Sequence, residues 1–173
     1  MIKIYLTDLA AYNSGYLIGE WIELPLEEAE LNEKLQNILK KGGEICNEIH
    51  EEYFITDFES DILDIDEYSN IYDLNNQAQK LSELNDYELK IARFLLNECL
   101  VNSVEEAIEN IENVTLYENQ TMQELAYELV EELYDINNLP SLIGSHIDYQ
   151  GIARDLEIEG RYYEIEGDIY EYM

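Results

Sequence analysis

Basic side chains are scarce in this sequence: nine lysines and arginines stand against forty aspartates and glutamates, a formal charge of −31 at pH 7. Such a surplus repels phosphate backbones and acidic membrane surfaces and attracts basic grooves. It therefore argues against nucleic acid or a membrane as the ligand and points to a nucleic-acid-binding protein as the partner.

Cysteine is nearly as rare. Cys46 and Cys99 are the two present, and no CxxC pair occurs, which leaves no basis for a disulfide scaffold or a cysteine-rich metal site. No apolar run approaches the roughly eighteen residues of a membrane span. The opening MIKIYLTDLAAY lacks a basic region followed by an apolar stretch. A reduced, cytoplasmic protein is expected. Glycine and proline, eight and two residues, are too sparse for a flexible linker, and no repeat of fixed period is found.

What is abundant argues for a fold. Of the 173 residues 46% are hydrophobic and 11% aromatic, more than disordered acidic tails carry. That length suits one compact domain or two or three small ones in a row. The fifteen tyrosines, Tyr5, Tyr12, Tyr16, Tyr53, Tyr162 and Tyr163 among them, can bury a ring while the hydroxyl stays wet. Self-repulsion at −31 opposes compaction and favours an extended shape.

Residues 2–9 (IKIYLTDL) and 16–24 (YLIGEWIEL) read as two strands around the turn-forming Tyr-Asn-Ser-Gly of 12–15. From Glu27 to Lys41, Leu31, Leu35, Ile38 and Leu39 follow helical spacing, with Lys40, Lys41 and Gly42 as the expected C-terminus of a helix lying on the sheet. Residues 51–58 (EEYFITDF) predict a third strand, followed by a polar acidic stretch and a domain border near 61. The middle reads as helical, with Ile71, Leu74, Ala78 and Leu81 on one face and then Ile91, Phe94 and Leu95. Ser103 with Glu106 and Thr121 with Glu124 match capping boxes of two more helices. VTLYEN between them predicts a short strand, and 161–172 a hairpin turning near Gly167-Asp168. The class is α+β: an N-terminal antiparallel sheet with one helix, a helical middle and a mixed α/β C-terminal part.

The negative charge comes in blocks. No lysine or arginine occurs between Lys41 and Lys80, nor between Arg93 and Arg154. After Thr121 the residues Glu124, Glu128, Glu131 and Asp135 fall on one outward stripe, with Met122, Leu125, Leu129 and Leu133 expected on the buried one. Glu105, Glu109 and Glu112 repeat the stripe, and Asp57, Glu59, Asp61, Asp64, Asp66 and Glu67 crowd the stretch 57–67. Like charges at i,i+4 cost a helix roughly 0.2–0.5 kcal/mol each, so local stability would have favoured lysines among them. One helical stripe offers about one charge per 5.4 Å turn against one per ~1.7 Å of duplex axis, so a single stripe cannot imitate DNA. Several stripes and the acidic loop together can, the whole net charge corresponding to about 50 Å of duplex as an upper bound. Ordinary solvated faces and halophilic adaptation are the competing readings of this acidity.

Motifs for chemistry are mostly missing. Asp57, Glu59 and Asp61 start like a calcium loop, but the sixth position is Ile62 and the twelfth Tyr68. His50 opens no HExxH, since Phe54 stands four residues on, and His146 is isolated, so both histidines are expected to be structural or solvent-facing. GxxxxGK[ST], GxGxxG and GxSxG do not occur. No cofactor or catalytic residue is expected, and the protein is not expected to be an enzyme.

Four stretches, DLAAYNSGYLIGEWIEL, EEYFITDFE, ELAYELVEEL and HIDYQGIARDLEIEG, together resemble the ArdA antirestriction proteins of conjugative plasmids and transposons. The most specific pieces are Tyr12-Asn13-x-Gly15 with Gly19-x-Trp21-Ile22, and Asp148-Tyr149 followed by Ile152-Ala153-Arg154-Asp155-Leu156; 62–103 matches least distinctively. The resemblance implies an elongated, DNA-mimicking homodimer of three small domains, 1–61, 62–103 and 104–173, that occupies the DNA site of type I restriction-modification enzymes. ELAYELVEEL at 124–133 corresponds to the family's antirestriction motif, which makes Glu124, Glu128, Glu131 and Glu132 candidate contacts, with Leu125 and Leu129 holding the helix down.

Two other functions stay open from sequence. An acidic chaperone or carrier for basic proteins needs charge but no particular shape. A divalent-metal hydrolase would use Asp57, Asp61, Asp64 and Asp66.

Overall fold

Ile2, Ile4 and Leu6 alternate with Lys3 and Tyr5, and a computed structural model, which describes residues 2–134 and 136–173, sets that alternation at the centre of a sheet. Strand β1 (Ile2–Asp8) runs antiparallel between β2 (Gly19–Leu24) and β3 (Tyr53–Glu59). Between β1 and β2 a short helix, α1 (Leu9–Asn13), begins where the Asp8 carboxylate accepts the Ala11 N–H at 2.8 Å. The connection expected as a plain turn is therefore a capped helical turn that closes at Gly15, φ +89°.

Helix α2 (Glu28–Cys46) packs against β1 and buries Leu31, Leu35, Ile38 and Leu39. Each such side chain contributes about 1.5–3 kcal/mol of hydrophobic stabilisation. Contrary to the sequence expectation, Lys40, Lys41 and Gly42 do not end this helix. It continues through Gly42 and Gly43 and stops at Asn47, whose left-handed backbone (φ 56°) sends its N–H to the Gly43 carbonyl. Gly42 is buried against the side chains of Asp8 and His50, where a Cβ would collide with the Asp8 carboxylate, so this glycine serves a close approach rather than a helix end.

β3 departs from regular pairing once. Tyr5 faces Asp57 and Leu6 faces Ile55, leaving Thr56 as an extra residue whose hydroxyl lies 2.8 Å from that of Thr7. Beyond the strand the acidic stretch is an ordered loop. Ile62 and Ile65 are buried, Ser60 Oγ accepts the Leu63 N–H at 2.9 Å, and Ile55 N–H donates to the Glu67 carbonyl at 2.7 Å. The helices α3 (Ile71–Ser82) and α4 (Asp86–Asn97) bury Ile71, Leu74, Ala78 and Leu81, then Ile91, Ala92, Phe94 and Leu95, matching the helical spacing of the sequence. Asn70 caps the first, and Asn85 with Glu88 forms a capping box on the second. Helix α5 (Val104–Glu109) starts with Ser103 Oγ accepting the Glu106 N–H, while the Glu106 carboxylate accepts the Asn102 N–H at 2.8 Å.

Contacts divide the chain into two compact units, one ending at Ala107 and the other beginning at Ile108. In the second, a 3-10 turn (Ile111–Asn113) precedes β4 (Val114–Tyr117), followed by α6 (Met122–Leu133). A second 3-10 turn (Ile136–Asn138), α7 (Ser141–Gly144) and α8 (Tyr149–Glu159) lead to β5 (Tyr162–Ile165) and β6 (Asp168–Tyr172). The sheet order is β4-β6-β5, all antiparallel. The expected hairpin is present, its two-residue turn Glu166-Gly167 having positive φ at both positions (54° and 88°). Helices α6 and α8 pack together, and Met122, Leu125, Ala126, Ala153, Tyr162 and Ile169 form the core of this unit. Leu133, expected on the buried stripe, is 72% exposed; the last turn of α6 carries it beyond the core, and Ala126 takes an inward position instead. No helix of the described residues is long and apolar enough to cross a membrane.

Candidate partner-binding surface

Beyond the extra residue Thr56 the end of β3 is exposed on both faces, and the anchored loop that follows turns its own acids outward. With Phe54, Ile55, Ile62 and Ile65 inside, Asp57, Glu59, Asp61, Asp64, Asp66 and Glu67 are all exposed. Three candidate acids in the first unit have basic neighbours: Asp61 pairs with Arg93 at 2.7 Å, Glu59 with Lys3 at 3.9 Å, and Glu105 with Lys80. The Lys80 hydrogen bond holds the Glu105 carboxyl below its ordinary range. These pairs are exposed enough that each adds little to stability.

In the second unit Glu109, Glu112, Glu124, Glu128, Glu131 and Glu132 are likewise exposed, and Arg154 and Arg161 are the only lysines or arginines after residue 108. Arg161 pairs with Glu159 at 3.4 Å and lies 5.6 Å from the Tyr162 ring. The stripe Glu105, Glu109, Glu112 is not one continuous helix face: α5 ends at Glu109, and Glu112 belongs to the following 3-10 turn. Asp135 lies outside the described residues.

Within α6 the acids divide by task. Glu124 closes a capping box, accepting the Thr121 N–H at 2.9 Å and the Thr121 hydroxyl at 2.7 Å; those backbone and side-chain bonds lower its pKa, so its charge is secure at neutral pH. Glu131 accepts the Tyr127 hydroxyl at 2.7 Å, a bond that raises the Tyr127 pKa. Glu128 shares a shallow depression with Glu124, Tyr127 and Tyr149. Leu125 is buried and Leu129 half-buried, which anchors the helix with its carboxylates outward.

Each unit offers exposed carboxylates and hydrogen-bond acceptors, the chemistry that basic side chains recognise. Among the described residues no three His, Cys, Asp or Glu side chains stand where they could hold a metal ion, so Asp57, Asp61, Asp64 and Asp66 are not gathered into a metal centre. Cys46 and Cys99 are free thiols.

Three arrangements escaped the sequence. Asp8 and His50 form a buried pair joined by a 2.7 Å hydrogen bond. Tyr117 and Tyr162 both donate to Glu171, at 3.1 and 2.9 Å, and burial together with that carboxylate pushes each phenol up to about 12. Tyr5, Tyr12, Trp21 and Phe54 line one cavity with Asp57 and Glu67. Asp8–His50 and Tyr117–Glu171 join residues distant in sequence, whereas Tyr162 faces Glu171 across the hairpin. The third had a trace in the alternation of β1 and β2, which sets Tyr5 opposite Trp21.

No curated relative matches the chain in sequence. The family model described as Antirestriction protein (ArdA) matches residues 4–171, nearly the whole length, and with it the exposed acids of α6, so the chain belongs to the ArdA antirestriction family.

Proposed function

We propose that this ArdA protein inhibits type I restriction-modification enzymes by occupying the DNA-binding groove of their methyltransferase core with carboxylates in place of phosphates. The observation that carries the reading is that every described candidate acid is exposed, while no lysine or arginine occurs from residue 94 to residue 153. A groove built for DNA binds by neutralising many phosphates, and a surface of many carboxylates competes for the same basic side chains. The same reading includes a cytoplasmic homodimer of elongated, three-part chains divided near 61 and 103, encoded on a mobile element such as a conjugative transposon, without cofactor or catalysis.

The test is titration of the protein against a type I methyltransferase bound to labelled duplex, following DNA release, with a nonspecific polyanion as control. Displacement at stoichiometric protein, where the polyanion needs large excess, supports a shaped mimic. Equal potency of the two would leave a generic acidic chaperone or carrier, and no displacement would refute the proposal. Because contacts are distributed, Glu128→Gln alone should change potency little, whereas joint replacement of Glu128, Glu131 and Glu132 should weaken it by about tenfold or more.

A further inference from the structure

The open pocket lined by Trp21 brings aromatic rings and carboxylates together. Its volume is about 460 Å³, and its walls include the rings of Tyr5, Tyr12, Trp21 and Phe54 and the carboxylate-bearing residues Asp57 and Glu67. The rings are mutually braced: Tyr5 meets Trp21 edge-on with centroids 5.4 Å apart, and Tyr12 meets Phe54 in the same manner at 5.1 Å. The Tyr5 hydroxyl donates to the Gly19 carbonyl at 3.2 Å, and Gly19 itself makes room, since a Cβ there would strike the Tyr5 ring. Tyr12 and Trp21 nonetheless remain 51% and 43% exposed, so the opening is lined with accessible aromatic surface. The extra residue Thr56 in β3 sets Asp57 opposite Tyr5 at this wall.

No basic side chain lines the pocket; Asp57 Oδ1 accepts the neighbouring Phe58 N–H at 2.9 Å, which leaves its second carboxylate oxygen for a cation. Aromatic faces carry negative quadrupole potential and attract cations, and adjacent carboxylates add a full charge. Between the guanidinium of arginine and the ammonium of lysine the walls favour guanidinium. It is planar, weakly hydrated, stacks on rings and bonds carboxylates with a fork of N–H donors, whereas an ammonium gives up a strong hydration shell on entering such a site.

We infer that this aromatic cavity is a socket for an arginine side chain of the basic partner protein, giving the inhibitor one shaped contact beside its distributed charge. The inference rests on the reading that the partner is a DNA-binding protein, whose groove presents arginines to phosphates. A socket of this kind rewards a particular placement of one arginine, which a nonspecific polyanion cannot do.

Trp21 is the only tryptophan of the chain, so its indole N–H gives a single reporter signal in a nitrogen-proton correlation spectrum. The full chain is titrated with N-acetyl-arginine methylamide, and in parallel with N-acetyl-lysine methylamide and sodium chloride at matched ionic strength. The arginine derivative should move the indole signal saturably and bind at least about threefold tighter than the lysine derivative. Tyr12→Ala and Asp57→Asn, both at exposed positions, should each weaken that binding by about threefold or more, with melting curves confirming that the variants fold. An indole signal that ignores the arginine derivative, or follows all three titrants alike, overturns the socket without reference to any partner. In the DNA-displacement assay Tyr12→Ala, which leaves net charge unchanged, should lower potency. Undiminished displacement by this variant overturns the partner assignment, whereas failure of the wild-type protein to displace DNA would strike the inhibitory reading and leave the titration to judge the socket.

Discussion

Asp8 accepts a hydrogen bond from His50 Nδ1 at 2.7 Å in a site where both side chains are buried, joining the end of β1 to the segment after α2. The same carboxylate caps α1 through the Ala11 N–H, so one residue serves two connections. Gly42 lies against the pair, which explains why a glycine stands inside α2.

Gly42→Ala should therefore destabilise the protein, although alanine is the better helix former. The added methyl meets the Asp8 carboxylate, and overpacking of this kind costs about 1–3 kcal/mol. Asp8→Ala should cost about 2–4 kcal/mol, since it removes a cap and leaves the His50 donor buried without a partner. Denaturant melts of the two variants provide the check; a gain in stability for Gly42→Ala would show that the close approach is not maintained.

Charge and capping are separable at the start of α6. Glutamine retains the acceptor that closes the box with Thr121, so Glu124→Gln should melt close to the wild type, whereas Thr121→Ala should lose about 1 kcal/mol. Equal losses in the two variants would mean that the negative charge of Glu124, rather than the box, secures the helix.

Salt should act in opposite directions on fold and complex. Screening over ~10 Å at 0.1 M weakens the self-repulsion of a −31 chain, so the melting temperature should rise between low and moderate salt. The same screening weakens attraction to a basic partner, and displacement of DNA should need more protein as salt rises. Salt-independent melting would show that the carboxylates do not repel one another appreciably.

The second unit should be sensitive to alkali. Tyr117 and Tyr162 titrate near 12 in the folded chain against about 10 when unfolded. Between those values the folded state keeps protons that the unfolded state releases, so their contribution is complete below pH 10 and falls as pH rises toward 12. Phenolate absorbance followed alongside unfolding checks this. Glu171→Gln should lower both phenol pKa values and flatten the loss; unchanged tyrosine titration in that variant would disprove the shared-carboxylate account.

Local chemistry accounts for what was legible early. The spacing of Ile71, Leu74, Ala78 and Leu81 is the buried face of α3, the Thr121 and Glu124 pair is the box it appeared to be, and Glu166-Gly167 turns the hairpin, because each depends on neighbours within a few residues. Net charge, its layout in blocks and the ArdA resemblance likewise follow from residue identities alone. Tertiary structure alone decided the path through Gly42, the exposure of Leu133, the clasp of Glu171 by two tyrosines and the gathering of Tyr5, Tyr12, Trp21 and Phe54 around one cavity. Most of these join residues far apart in the chain, and Leu133 is exposed because no distant side chain reaches the last turn of α6; a periodic pattern records which way a side chain faces but not which distant side chain meets it there.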